Sequence, residues 1–172
     1  MTKVYTKTGD KGTTLRYDGS RVPKDSESIL IVSEVDSLLG SLDYAIISLK
    51  DEGVISIIES IQTKLWQTAG ELSRGEPSAK VKDAITNEDV LAIESLIDNY
   101  SLDIKHFVRF REESACRINE SRLRARRVEV KLTKWLRENK VRTEVYQYFN
   151  RLSDLLYVLS CHISKEKLKI NF

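Results

Sequence analysis

The sequence predicts an all-α protein folded as a helical bundle. Apolar residues recur at steps of three and four over most of the chain beyond residue 26, the period of helices with one packed stripe. Only seven Gly and two Pro interrupt 172 residues, which leaves little room for strands. That length suits one domain over 1–172, with a polar segment at 1–25 ahead of a helical body at 26–172 and one hydrophobic core. Charge is nearly balanced, 28 basic against 26 acidic residues for a net charge of +2, too little to coat a polyanion, so no nucleic acid is expected as partner. No segment approaches the roughly 20 apolar residues of a membrane span, and no apolar run follows the first charges. A soluble, cytoplasmic protein without a membrane partner is expected. Cys116 and Cys161 fit no metal or redox spacing and read as small core or boundary residues.

The run from Tyr5 to Thr14 is polar, with Gly9, Gly12, four threonines and two lysines, and follows neither secondary-structure period. Glycines let backbone N–H groups approach an anion, while Thr hydroxyls and Lys7 and Lys11 add donors and charge, so the run suits either a phosphate cradle or a loose terminus. It is not a P-loop, because the Gly-Lys-Ser/Thr end and the preceding strand are missing. After a turn-rich piece at 17–24, Ile31 or Val32, Val35, Leu38 or Leu39, Leu42, Ala45 or Ile46 and Leu49 set a first helix from about Ser26 to Leu49. Asp36 sits beside that stripe and is the candidate carboxylate of this helix. Asp51-Glu52-Gly53 breaks the pattern, and a second helix carries Val54, Ile57 or Ile58, Ile61, Leu65, Thr68 or Ala69 and Leu72 inward, with Trp66 expected to pack at its edge. Residues 73–84, with Gly75 and Pro77, read as an exposed connection. Thr86-Asn87-Glu88-Asp89 resembles a capping box and starts a short third helix striped by Val90, Ile93, Leu96 or Ile97 and Tyr100. The aromatic stretch 106–110 leads into the central helix.

That central helix, Arg111 to Arg137, carries Ala115, Ile118, Arg122, Ala125, Val128 or Glu129, Leu132 and Trp135 or Leu136 on its stripe. Arg122 therefore falls among apolar neighbours, and a guanidinium there needs a carboxylate or phosphate to meet it. Arg126 follows one turn on and Glu129 three residues later, so the three share a face suited to an anion. A solvated basic helix accounts equally for Arg117, Arg124, Lys131, Lys134 and Arg137. A last helix, from about Thr143 to Lys165, places Val145, Tyr148 or Phe149, Leu152, Leu155 or Leu156, Leu159 and Ile163 inward. Asn150, Arg151 and Asp154 flank this stripe, and spacing alone gives Asn150 no role.

Three blocks in this order resemble the trimeric ATP:cob(I)alamin adenosyltransferases linked to propanediol use and methylmalonyl metabolism. The first is Tyr5-Thr6-Lys7-Thr8-Gly9-Asp10-Lys11-Gly12-Thr13, followed by Arg21-Val22-x-Lys24 and Val35-Asp36-x-Leu38. The second is Ser121-Arg122-x-x-x-Arg126-Arg127-Val128-Glu129, and the third is Tyr148-Phe149-Asn150-Arg151-Leu152-Ser153-Asp154-Leu155-Leu156. The chain departs from the family pattern at Ser33, Ser37, Leu39, Asn119 and Phe110-Arg111-Glu112, positions on the corrinoid side more than the nucleotide side. The resemblance implies an up-and-down five-helix bundle, a ferritin-like four-helix core plus one helix, with a polar N-terminal nucleotide-binding loop. It implies a homotrimer with ATP at the subunit interface and transfer of the 5′-deoxyadenosyl group from ATP to the Co(I) of cobalamin. Thr6, Lys7, Thr8, Gly9, Asp10, Gly12, Thr13 and Lys24 are then expected to bind ATP together with Arg126, Glu129 and Asn150. Arg122 is expected to pair with Asp36 near the reacting centre, and Phe107, or else Phe110, to face the corrin beside Asp36. Magnesium is expected through the ATP phosphates, a flavin-dependent reductase as electron source, and a cobalamin-dependent mutase or dehydratase as consumer. A carrier or sensor of ATP or adenosylcobalamin with the same fold, and a helical module that uses its basic helix on an acidic partner, are the alternatives.

Overall fold

The computed structural model describes residues 5–74, 83–101 and 108–169. Five helices dominate it: α1 (Glu27–Ser48), α2 (Glu52–Ser73), α3 (Asn87–Tyr100), α4 (Glu113–Arg137) and α5 (Thr143–Ile163). Four three-residue strands accompany them, β1 (Thr13–Leu15) paired antiparallel with β2 (Arg21–Pro23), and β3 (Val108–Phe110) paired antiparallel with β4 (Lys167–Lys169). The helices start where local chemistry starts them. Asp51 accepts the Val54 N–H at 3.1 Å to open α2, and Thr86 and Asp89 form a reciprocal capping box on α3, each satisfying N–H groups that the helix itself leaves free.

Ion pairs and hydrogen bonds fix the register. On α1 and α4, Glu27 meets Lys134 and Trp135, Glu34 meets Arg127 at 3.0 Å, and Tyr44 lies under Arg117 at 5.3 Å. A step forward on α1 is matched by an equal step back on α4, so the two run antiparallel. The same holds for α4 and α5, where Thr133 faces Tyr146, Glu129 faces Asn150 and Arg122 faces Tyr157. Lys64 and Gly53 of α2 meet Asp89 and Tyr100 of α3, and Arg151 and His162 of α5 meet Glu94 and Tyr100 of α3, so α3 runs against α2 and along α5 and the directions alternate up, down, up, down, up. Between the helices lies one core, with Leu38, Leu42, Ile58, Leu65, Ile118, Leu132, Phe149 and Leu155 fully buried.

Several sequence expectations need correction. The N-terminal segment is a turn-and-hairpin structure rather than a loop without secondary structure, because the glycines at 12 and 19 adopt positive φ of 76° and 86° and let the chain reverse. The last helix stops at Ile163 instead of Lys165, since the chain turns to pair as β4 with β3. Trp66 is 65% exposed and packs at no edge. Cys116 is exposed, and only Cys161 is buried. On α4, Ser121 takes the buried place while Arg122 sits at the margin, half-buried.

Candidate active site

Helix periodicity divides the basic residues of α4 into two sets. Arg117, Arg124, Arg127, Lys131 and Lys134 hold carboxylates: Arg117 and Arg124 take Glu113 and Glu120 at 2.7 Å on their own helix, and the others take Glu34 and Glu27 of α1. Arg122, Arg126 and Glu129 turn to α5. Glu129 is 7% exposed. One of its carboxylate oxygens accepts the Asn150 Nδ2–H at 2.8 Å, and the other lies 3.3 Å from the Arg126 guanidinium. That second oxygen is buried and accepts no well-aligned hydrogen bond, so Arg126 satisfies it by charge rather than by a directed bond. Asn150 Oδ1 accepts Arg151 NH1–H at 2.7 Å while Arg151 Nε–H bonds Glu94 at 2.9 Å. A carboxylate on one side and a guanidinium on the other dictate which way the amide points.

Arg122 is the imbalance in this face. Its Nε–H bonds the neutral Asn119 Oδ1 at 2.7 Å and its guanidinium lies over the Tyr157 ring at 5.9 Å. No described carboxylate pairs with it. Burial, and then repulsion from Arg126, lower its pKa from the usual arginine value, which records a cation held without its counter-charge. Asp154, beside the same face, has its carboxyl raised by burial, with Arg151 and Arg126 pulling the other way. Farther along lies the other end of the ladder: Phe110 of β3 meets the Tyr157 ring edge-on at 6.3 Å. Glu112 pins that end by accepting Ser164 Oγ–H at 2.6 Å and the Lys165 N–H at 2.9 Å.

The N-terminal segment forms a second group of donors. Its chain turns through Asp10 N–H to Lys7 O and Gly12 N–H to Gly9 O, and Lys24 N–H closes it on Gly12 O at 2.9 Å. Lys7 holds a left-handed φ of 59°, uncommon for a residue with a side chain. Among the described residues the N–H groups of Thr8, Gly9 and Lys11 make no hydrogen bond. Arg21 ties the turn through Thr8 O and Thr13 Oγ1, both at 3.0 Å. A Cβ at Gly9 would stand 3.2 Å from the Lys24 ammonium, so the glycine lets that cation close over the turn. The segment is fastened to α2, where Tyr17 N–H bonds Ser73 Oγ at 2.9 Å and the Tyr17 ring lies on Gly70.

This arrangement, an under-neutralised arginine pair on one helix and a glycine-threonine-lysine turn with open N–H groups, accompanies a match between residues 4–163 and the cobalamin adenosyltransferase family model. The chain belongs to that family. It is 34% identical over 163 residues to the corrinoid adenosyltransferase PduO of Salmonella typhimurium, covering 91% of this chain and 48% of that protein. It is 31% identical to a corrinoid adenosyltransferase of Citrobacter freundii, covering 93% and 94%. The chain spans about half the length of the PduO relatives it matches. A variant PduO-type ATP:corrinoid adenosyltransferase from Lactobacillus reuteri, solved with cobalamin and ATP, superposes with a TM-score of 0.87 at 22% identity over 99% of this chain and 100% of that one. That likeness shows the adenosyltransferase fold.

Of the residues singled out from sequence, the structure of this family member brings Arg122, Arg126, Glu129 and Asn150 onto one α4–α5 face, with Phe110 at its end. Thr6, Lys7, Thr8, Gly9, Asp10, Gly12, Thr13 and Lys24 gather in the N-terminal turn. Among the described residues no hydrogen bond or ion pair joins the two groups. Phe107 lies outside the described residues. Asp36 is exposed and meets no partner among them, Arg122 included, a correction to its reading as a buried-edge carboxylate. It stands two residues from Glu34, which faces α4, and two residues turn an α-helix by about 200°. Arg151 and Tyr157 were missed. Both flank apolar stripes, and the contacts that distinguish them are long-range, so no local spacing signals them.

Proposed function

We propose that this chain transfers the 5′-deoxyadenosyl group of ATP to the Co(I) of cobalamin, forming the cobalt–carbon bond, breaking the C5′–O bond and leaving its electron pair on triphosphate. The observation that carries it is Arg122 standing beside Arg126 with no carboxylate of its own, a face that needs an anion. Family membership and the relatives' names supply the chemistry, and the neighbouring structure in complex with cobalamin and ATP supplies the pair of substrates. Co(I) is itself the nucleophile, so no base is required of the protein.

In this reading the free N–H groups at 8, 9 and 11, with Thr6, Thr13, Lys7 and Lys24, cradle the triphosphate. Arg126 takes up charge that grows on it as the bond breaks. Glu129 and the oriented amide of Asn150 fix the nucleoside so that C5′ lies in line with cobalt. Phe107, or else Phe110, faces the corrin. Among the described residues no three Asp, Glu, His or Cys side chains gather to cage a metal. Magnesium would be held by the phosphates, as suits an ion that keeps several of its waters, and would neutralise their charge there. Among the described residues the two donor groups do not meet within one chain and Asp36 has no partner; ATP binds between subunits of a homotrimer, and Asp36 pairs with Arg122 of a neighbour. The unit is one domain over 1–172 with 1–25 as its nucleotide segment, in the cytoplasm. Among the described residues no helix is long and apolar enough to cross a membrane. A flavin-dependent reductase supplies electrons and a cobalamin-dependent mutase or dehydratase uses the product.

The test is an anaerobic spectral assay with ATP, Mg²⁺ and chemically reduced cobalamin. The Co(I) bands should give way to those of an alkylated cobalamin as triphosphate appears. Nucleotide binding without alkylation would instead make this a carrier or sensor, the reading that the departures at Phe110-Arg111-Glu112 favour.

A further inference from the structure

Tyr157 stands where the two halves of the α4–α5 face meet. It is half-buried on α5. Its ring meets Arg122 of α4 at 5.9 Å and Phe110 of β3 at 6.3 Å with the planes at 63°. Burial raises the pKa of its hydroxyl, which lies near the Val108 backbone and the Cys161 side chain. Arg122 has only Asn119 Oδ1 and this ring to order it among the described residues, and a desolvated guanidinium over an aromatic face is held by the ring's quadrupole. Phe110, on the three-residue β3, is set by the same ring, by the β4 ladder and by the Cys116 thiol on its carbonyl.

We infer that Tyr157 is a positioning residue shared by the two substrate sites: the ring that orders Arg122, one turn from the phosphate-binding Arg126, also props Phe110 at the corrinoid end. This rests on the transferase reading above. The contacts assign the task to the ring. A movement of either side chain is then felt by the other through one rigid, six-membered plate.

Steady-state kinetics of the full chain with ATP and reduced cobalamin test it. Tyr157→Leu should raise KM for both substrates, each about tenfold, and Tyr157→Phe, which keeps the ring, should recover most of both losses. In a Phe110→Ala background, Tyr157→Leu should no longer raise the cobalamin KM while still raising that for ATP. A Tyr157→Leu protein that melts lower but keeps both KM values, or a Tyr157→Phe protein as impaired as Tyr157→Leu, would overturn the inference. Should Tyr157→Leu not fold, Arg122→Lys and Phe110→Ala replace it: coupled effects of the pair on the two KM values support the shared ring, and additive effects overturn it. A wild-type chain without transfer activity would defeat the transferase reading before any variant is made, so the two failures are distinguishable.

Discussion

Two arginines one turn apart on α4 differ in what they already hold, and the difference predicts their substitution. Arg126 is half-exposed and shares the single buried carboxylate of Glu129, so it is free to turn a planar fork of donors to phosphate, which a lysine ammonium cannot match. Arg126→Lys and Arg126→Ala should each reduce turnover by on the order of a hundredfold, roughly 3 kcal/mol of transition-state stabilisation, with the fold intact by circular dichroism. Arg151 acts at one remove. It fixes the Asn150 amide through Oδ1 and is itself held by Glu94, so Arg151→Met should raise the KM for ATP several-fold. Replacing Glu94 by Gln should give a smaller change of the same kind, and an Arg151→Met enzyme with an unchanged KM would show that the amide orients itself. The sequence made Arg122, Arg126 and Glu129 legible because a helix converts spacing into a shared face. Asn150 was readable only through the family resemblance, and Arg151, which stands in the same block, showed no role of its own, since its contact with Glu94 spans 57 residues to α3.

The helices were legible nearly to their ends because the apolar period and the caps at Asp51 and Thr86 are local signals. The small strands were not, since β3 and β4 are brought together across the length of α4 and α5 and three residues are too few to show a period. Asp36 and Trp66 were misplaced for a related reason: position beside a stripe does not say which side of it meets a neighbour. What holds β3 and β4 on the bundle is Glu112, whose carboxyl lies below its ordinary range through the Ser164 hydroxyl and the Lys165 and Glu166 N–H groups. A carboxylate with a depressed pKa contributes stability that is present above its unfolded pKa and is lost as pH falls through the folded one. The β3–β4 end should therefore loosen in acid, below about pH 4, before the helices melt. Hydrogen exchange at 108–110 that accelerates there in the wild type, and is already fast at neutral pH in Glu112→Gln, is the expected result. Protection unchanged in both would assign the pinning to the strand ladder instead.

At the scale of the whole molecule, the two groups proposed to bind ATP are not joined within one chain among the described residues. The N-terminal turn is fastened to the end of α2 through Ser73 and Gly70, while the arginine face belongs to α4 and α5. Large apolar side chains also stand in solvent on adjoining faces, Tyr44 and Ile47 on α1 and Leu123 and Val130 on α4, which suits burial against further copies of the chain. A closed ring of three copies with heterologous contacts would bring the turn of each to the arginines of the next. This geometry makes a prediction that neither half-site makes alone. A chain lacking residues 1–14 keeps its helical core, because Tyr17 and Ser73 remain, but should not cradle triphosphate. An Arg126→Ala chain keeps its turn and lacks the guanidinium. Each protein alone should be inactive, whereas co-refolding equal amounts should restore about a quarter of the wild-type activity per site. Random assembly places an intact turn against an intact helix at that fraction of interfaces in a cyclic oligomer. A site contained in one chain would leave the mixture as inactive as its parts.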